Sequence, residues 1–164
     1  MKNKSILILC RKDIYHPRAG WAEQVLHTYM KWLINEWYAV TQIAPQFLWS
    51  LKSEQIDWIT IKRMFSIHTI YFVFWFWYLF IRKEQYDLII DHAWGIPLLS
   101  PLYSFKKPII FFTHHIWTTE WEDYFKPFWF IGKCFRRLYN QVVLKLYHKK
   151  TTITVSQWTA QELR

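Results

Sequence analysis

Short apolar runs alternate with amphipathic stretches along most of this chain. Ser5 to Cys10, SILILC, is the kind of run shown by a strand buried on both faces of a parallel sheet. A polar loop, Arg11 to Arg18, follows and ends at Ala19-Gly20. From Trp21 to Glu36, apolar residues fall at Val25, Leu26, Tyr29, Leu33 and Ile34, a helical stripe. Ala39 to Ala44 predicts a second strand, closed by Pro45, and a polar loop runs on to Gln55. Trp58 to Met64 alternates apolar and polar residues and predicts a third, peripheral strand. Tyr86 to Asp91 predicts a fourth, with His92-Ala93-Trp94-Gly95 as the loop at its carboxyl end. Ile96 to Phe105 contains Pro97 and Pro101 and supports a short helix at best.

Ile109 to Thr113 predicts a fifth strand, ending in His114-His115, and Phe128 to Lys150 a long helix. Thr152 to Val155 predicts the last strand, and Ser156 caps a final helix. Six strands alternating with helices imply an α/β, Rossmann-like doubly wound parallel sheet. Residues 1–164 are read as one such domain, with Arg164 falling inside its last helix and a second domain expected beyond it. Ile70 to Ile81, IYFVFWFWYLFI, is an unbroken apolar stretch, short of the roughly 20 residues that cross a bilayer. It predicts a buried helix, with an interfacial membrane helix and, after that, a true span as the alternatives.

Composition adds a charge and a compartment. Lys and Arg number 21 against 12 Asp and Glu, a formal charge of +9. A surface of that sign attracts phosphate on nucleotides, nucleic acids or anionic lipid. The helix from Lys133 to Lys150 concentrates it, which makes an anionic membrane surface a candidate partner. Cys10 and Cys134 have no metal-binding spacing and read as reduced core thiols. The N-terminus lacks the apolar length of a signal peptide, so the expected location is cytoplasmic, with peripheral attachment to the inner face of the membrane as an option.

Glycine is scarce and tryptophan abundant. The chain has 3 Gly and 12 Trp, where average usage predicts about 11 glycines. Trp37 ends a helix, Trp49 lies in a loop, Trp58 follows Asp57 between two strands, and Trp21 follows Gly20. All four are places where turn chemistry asks for glycine. UGA codons read as glycine would explain the pattern, and a naturally Trp-rich sequence is the alternative.

In open α/β sheets, ligands bind outside the carboxyl ends of the strands. Three loops therefore converge there: the one with Gly20 and Trp21, the one with His92 and Gly95, and the one with His114 and His115. The first-turn amides of the helix starting at Trp21 suit an anion at Gly20 to Ala22. Histidine can donate to phosphate or sugar hydroxyl near neutral pH. Zinc on His114 and His115 with Glu120 or Asp123 is the rival use, though helical His spacing and a Cys pair are both missing. No metal is expected. Walker loop, nucleophile elbow and paired catalytic carboxylates are likewise missing from the sequence. Asp91 reads as a strand-end capping group.

The run His16-Pro17-Arg18-Ala19-Gly20-Trp21-Ala22-Glu23 resembles the N-terminal loop of GT-B glycosyltransferases of family four, whose pattern is Gly-Gly, a small residue and Glu. Trp21 stands where that pattern has its second glycine. Thr113-His114-His115 resembles the family's Thr, one residue, His at the fifth strand, and Ile153-Thr154-Val155-Ser156-Gln157 its last short strand and Val-Ser turn. The resemblance implies one half of a GT-B architecture, the acceptor-side domain of a retaining, metal-independent enzyme. Such an enzyme moves sugar from a nucleotide-sugar donor to a sugar or lipid-linked acceptor in envelope glycan or glycolipid synthesis. It implies that Ala19, Gly20, Trp21 and Glu23 face donor phosphate or acceptor, and that His115, then His114, sits by the reacting sugar. No cofactor is implied, because the nucleotide sugar is a substrate held mainly by a C-terminal domain that these residues do not include. The rival class is a non-enzymatic basic domain for nucleotide, nucleic acid or membrane surface, which would use the charge and the aromatics. The aromatics fall in apolar runs rather than among Lys and Arg, so nucleic acid is not expected as a partner.

Overall fold

The computed structural model describes residues 4–66, 69, 70, 74, 76, 78, 86–115, 126 and 128–162. Its seven strands are β1 (Ser5–Leu9), β2 (Ala39–Ala44), β3 (Ser53–Ile56), β4 (Ile59–Arg63), β5 (Leu88–Trp94), β6 (Ile109–His115) and β7 (Thr151–Thr154). They form one sheet in the order β3-β4-β2-β1-β5-β6-β7. All neighbours are parallel except β3 with β4. The parallel strands therefore run outward from β1 in both directions, the Rossmann arrangement, with the reversal of order between β1 and β5.

Helix α1 (Trp21–Asn35) connects β1 to β2. Helix α2 (Trp129–Tyr139) continues through a π-helical turn, Asn140–Leu144, into Lys145–Tyr147, and α3 (Gln157–Glu162) follows β7. Ser156 caps α3, its Oγ accepting from the Thr159 N–H at 3.1 Å. Between Pro97 and Phe105 the described helix is a single 3₁₀ turn, Ser100–Leu102.

The apolar runs of β1 are buried on both sides, as a central parallel strand must be. Leu7 and Leu9 pack in one cluster with Ile43, Ile89 and Phe111, covered by Tyr139, Val143 and Tyr147. Ile6 and Ile8 pack in the other, covered by Leu26, Met30 and Leu33 of α1. Most of the stretch from Ile70 to Ile81 lies outside the described residues, so its reading as a helix stays an expectation. Within it Ile70, Phe74 and Tyr78 are buried in the first cluster and Phe76 is exposed, a fourfold spacing that puts one side inward. No helix among the described residues is long and apolar enough to cross a membrane. Cys10 is buried, its thiol pushed up to about 12 by burial, whereas Cys134 is exposed on α2 and is not a core thiol.

The sheet has one strand more than the sequence predicts. β3 occupies the segment read as loop and pairs antiparallel with β4, Ile56 opposite Ile59. Asp57 and Trp58 make the two-residue turn between them with φ of 49° and 65°, the type I′ hairpin geometry that favours Asp-Gly. Trp37 and Trp49 share this left-handed region, at φ of 65° and 66°, which costs an L residue roughly 1 to 2 kcal/mol.

A buried ion pair ties the loop after β1 to the outer strands. Arg63 of β4 holds Asp13 through Nε at 2.7 Å and Nη2 at 3.0 Å. It also donates to Glu54 of β3 and to the Leu51 carbonyl. Asp13 in turn accepts from the Tyr15 N–H at 2.9 Å, which fixes the loop's course. Both charged side chains are almost fully enclosed, so removing one partner leaves an uncompensated buried charge. Arg63→Met should lower stability by about 3 to 5 kcal/mol in urea unfolding. The double variant Arg63→Met with Asp13→Leu should recover a large part of that loss.

Candidate functional site

The loop after β1, the N-terminus of α1 and the carboxyl ends of β5 and β6 come together where the strand order reverses. Gly20 precedes α1 with φ −138° and ψ −156°, extended backbone that any residue adopts. The backbone therefore does not itself require glycine at this position. A Cβ built on Gly20 would meet only Glu23 Oε2, at 3.8 Å, an ordinary contact. Glu23 reaches back so that its carboxylate accepts from the Gly20 N–H at 2.6 Å, half of a capping box. The first turn of α1 thus holds an anion from its own chain. Lys12 balances it, its Nζ 3.2 Å from Glu23 Oε1 and donating to the Arg18 carbonyl at 2.8 Å. Lys12 also lies over the Trp94 ring, 5.6 Å from the centroid.

His92 and His114 differ from the sequence expectation. Both lie inside strands rather than in loops, because β5 extends to Trp94 and β6 to His115. The register between these strands advances from Ala93 opposite Thr113 to Trp94 opposite His115, so His114 is the extra residue of a bulge. Its ring stacks on Phe112 at 5.1 Å, meets His92 edge-on at 4.8 Å, and meets Trp21 edge-on at 5.4 Å. Neither ring nitrogen of His114 has a hydrogen-bond partner among the described residues, and the same holds for His92 Nε2. Burial lowers the pKa of both rings, that of His92 to about 3 with a further contribution from His114. The pair is neutral in the folded protein and offers donors and acceptors rather than charge.

His115 is partly exposed, at the end of β6. Its carbonyl accepts from the Gly95 N–H at 3.3 Å and from Thr113 Oγ1 at 3.2 Å. Gly95 has φ of 95°, a conformation that suits glycine, and its carbonyl accepts from Tyr139 of α2. Asp91 organises the chain after β5 from beneath, accepting from the N–H of Leu98 at 3.0 Å and Ser100 at 2.8 Å and from the Tyr147 hydroxyl. It is a buried capping group, but it lies in the middle of β5 rather than at the strand end the sequence predicts, because pairing with β6 continues to Trp94, and burial raises its pKa. Of the residues singled out in the sequence, Trp21, Glu23, His92 and His114 gather on the α1 side of the sheet, while Glu120 and Asp123 lie outside the described residues. The sequence gives no signal for Lys12, Asp13, Arg63 or Trp94, whose roles depend on partners distant in the chain.

The buried histidines set a pH dependence. An unfolded chain takes up a proton at each near pH 6.5, and the folded chain does not, so acid favours unfolding. The histidine contribution to stability should fall as pH drops from about 6.5 toward His92's folded value near 3, by up to about 1.4 kcal/mol per pH unit for His92, with His114 acting in the same direction and the raised carboxyl of Asp91 in the opposite one. Urea midpoints at pH 7 and pH 5 check this. His92→Gln should flatten the slope, and an unchanged slope would show that His92 titrates normally.

The family described as Glycosyltransferase Family 4 matches residues 20–164. No curated protein matches the chain in sequence. Among solved structures, sucrose-phosphate synthase from Thermosynechococcus elongatus is similar in fold, with a TM-score of 0.55 at 10% identity. The alignment covers 93% of this chain and 48% of that one, so the chain spans about half of its length. With a Rossmann-like sheet like that of a GT-B glycosyltransferase and a family match over nearly the whole sequence, the chain belongs to glycosyltransferase family 4.

Proposed function

We propose that this chain is the acceptor-side half of a retaining glycosyltransferase. The enzyme would move a sugar from a nucleotide-sugar donor to a sugar or lipid-linked acceptor in envelope glycan or glycolipid synthesis. The observation that carries this reading is the bulge at His114, where a neutral imidazole with no hydrogen-bond partner among the described residues lies beside the N-terminus of α1 at the point of strand reversal. A bond forms between the acceptor hydroxyl oxygen and the sugar's anomeric carbon. The bond from that carbon to the diphosphate breaks, and the hydroxyl proton leaves with the departing group. His115 and His114 are the groups we assign to the reacting sugar. Ala19, Gly20, Trp21 and Glu23 line the approach of phosphate or acceptor, with His92 behind His114 and Gly95 beside it. The donor nucleotide would be held mainly by a second domain, and no cofactor or metal enters the reaction.

The 164 residues alone should bind an acceptor glycan weakly and turn nothing over. Sugar transfer by this chain without a second domain would overturn the two-domain reading. In an enzyme carrying both halves, His115→Ala should lower kcat by about 10²-fold or more. Gly20→Ala should leave stability within about 0.5 kcal/mol of the parent while raising KM, because a methyl there obstructs only an incoming ligand.

A membrane-surface role is supported by a separate observation. Phe128, Phe130 and Leu138 are exposed along the segment that carries Lys133, Arg136 and Arg137, the composition of an interfacial helix. We assign this face to the inner surface of the cell membrane. Co-sedimentation with vesicles should rise with their content of anionic lipid and fall with salt. Binding indifferent to lipid charge would remove the assignment.

A further inference from the structure

Three exposed tryptophans occupy three different turns, each at the position whose backbone calls for glycine. Trp37 follows α1 and its C-cap Glu36, and it is left-handed. Its N–H donates to the Ile34 carbonyl at 2.9 Å, and the Tyr38 N–H to the Leu33 carbonyl at 3.1 Å. That pair of bonds is the Schellman motif, with Trp37 at the residue where glycine predominates. Trp49 is third in the turn Phe47–Ser50, closed by the Ser50 N–H on the Phe47 carbonyl at 3.0 Å. Positive φ at the third residue alone is the type II pattern, which takes Gly or Asn there. Trp58 is second in the type I′ hairpin turn after Asp57, where Asp-Gly is the preferred pair.

Packing does not hold these indoles in place. Trp37, Trp49 and Trp58 are 80%, 92% and 77% exposed. Phe65 and Leu99 also have positive φ, but both pack against the first core cluster, which compensates the backbone. The three tryptophans combine strain with exposure, and their scarcity partner is glycine itself, present only 3 times in the chain.

We propose that positions 37, 49 and 58 are glycine in the protein as its own cell makes it, encoded by UGA. This codon differs from the tryptophan codon UGG in one base, and genetic codes assign it variously to stop, tryptophan or glycine. The tryptophan form is then the product of a decoder that reads UGA as tryptophan. Position 21 has helical backbone and carries no such signal. There glycine rests on the resemblance of the Gly20 loop to the family's Gly-Gly pattern, and it would uncover His114, which the Trp21 ring now meets edge-on.

The codons at 37, 49 and 58 test the proposal directly, together with mass spectra of protein isolated from the source cells. The tryptic peptide Ser53–Lys62 contains Trp58 as its one tryptophan. UGA at all three positions, with this peptide lighter by the difference between an indolylmethyl group and a hydrogen, is the expected result. UGG codons, or UGA codons with a peptide of full tryptophan mass, would overturn it. The triple variant Trp37→Gly, Trp49→Gly, Trp58→Gly should also fold, with each change leaving the folding equilibrium unchanged or shifting it up to about fivefold toward the native state. A triple variant less stable than the tryptophan form would count against glycine at these turns. Glycine at 37, 49 and 58 with UGG at 21 would leave this proposal standing and count only against glycine at position 21.

Discussion

Burying β1 on both faces is the constraint from which the rest of this molecule follows. Ile6 and Ile8 point to α1, and Leu7 and Leu9 point to the opposite layer. A strand with no wet face needs neighbours on both sides and a covering on both surfaces, so the chain must cross over rather than fold back in hairpins. Parallel neighbours β2 and β5 flank it, and the connections leave at the same end of the sheet. The loop after β1, with Gly20, and the segment after β5, with Gly95, are thereby brought side by side, and Lys12 over the Trp94 ring joins them. Arg63 and Asp13 then stop the first of these from wandering.

The site is built by irregularity laid on this regular frame. Regular alternation along β6 turns Ile110, Phe112 and His114 toward the α1 layer. The bulge between β5 and β6 supplies one extra residue at the strand end, and Phe112 and His92 hold its ring. The helix end nearby is not an empty anion trap, because Glu23 already accepts from Gly20 and is balanced by Lys12. Desolvation keeps the two histidines neutral.

Much of this architecture is legible in the sequence, and the gaps have physical causes. The β1 run and the helical stripe from Val25 to Ile34 announce themselves, since burial on two faces or on one leaves a periodic trace. β3 does not, because Ser53, Glu54 and Gln55 have no apolar alternation and the Asp57-Trp58 turn hides the usual hairpin signature behind an indole. The ends of β5 and β6 extend past Asp91 and Thr113 because pairing across the bulge continues through polar residues, which periodicity cannot foresee. The Arg63–Asp13 pair joins residues far apart in the chain, and neither position carries a local mark of its partner.

The hairpin that adds β3 also settles how the sheet ends. A parallel strand left outermost would present a row of unpaired amides and carbonyls, a template for another chain to extend the sheet. On one side that row belongs to β3, short, polar and carrying Glu54. On the other it belongs to β7, four residues with three threonines, preceded by Lys149 and Lys150. Brevity and charge at both margins disfavour stacking of one molecule against the next, so a protein with this many aromatic residues is guarded against fibrous self-association at its edges.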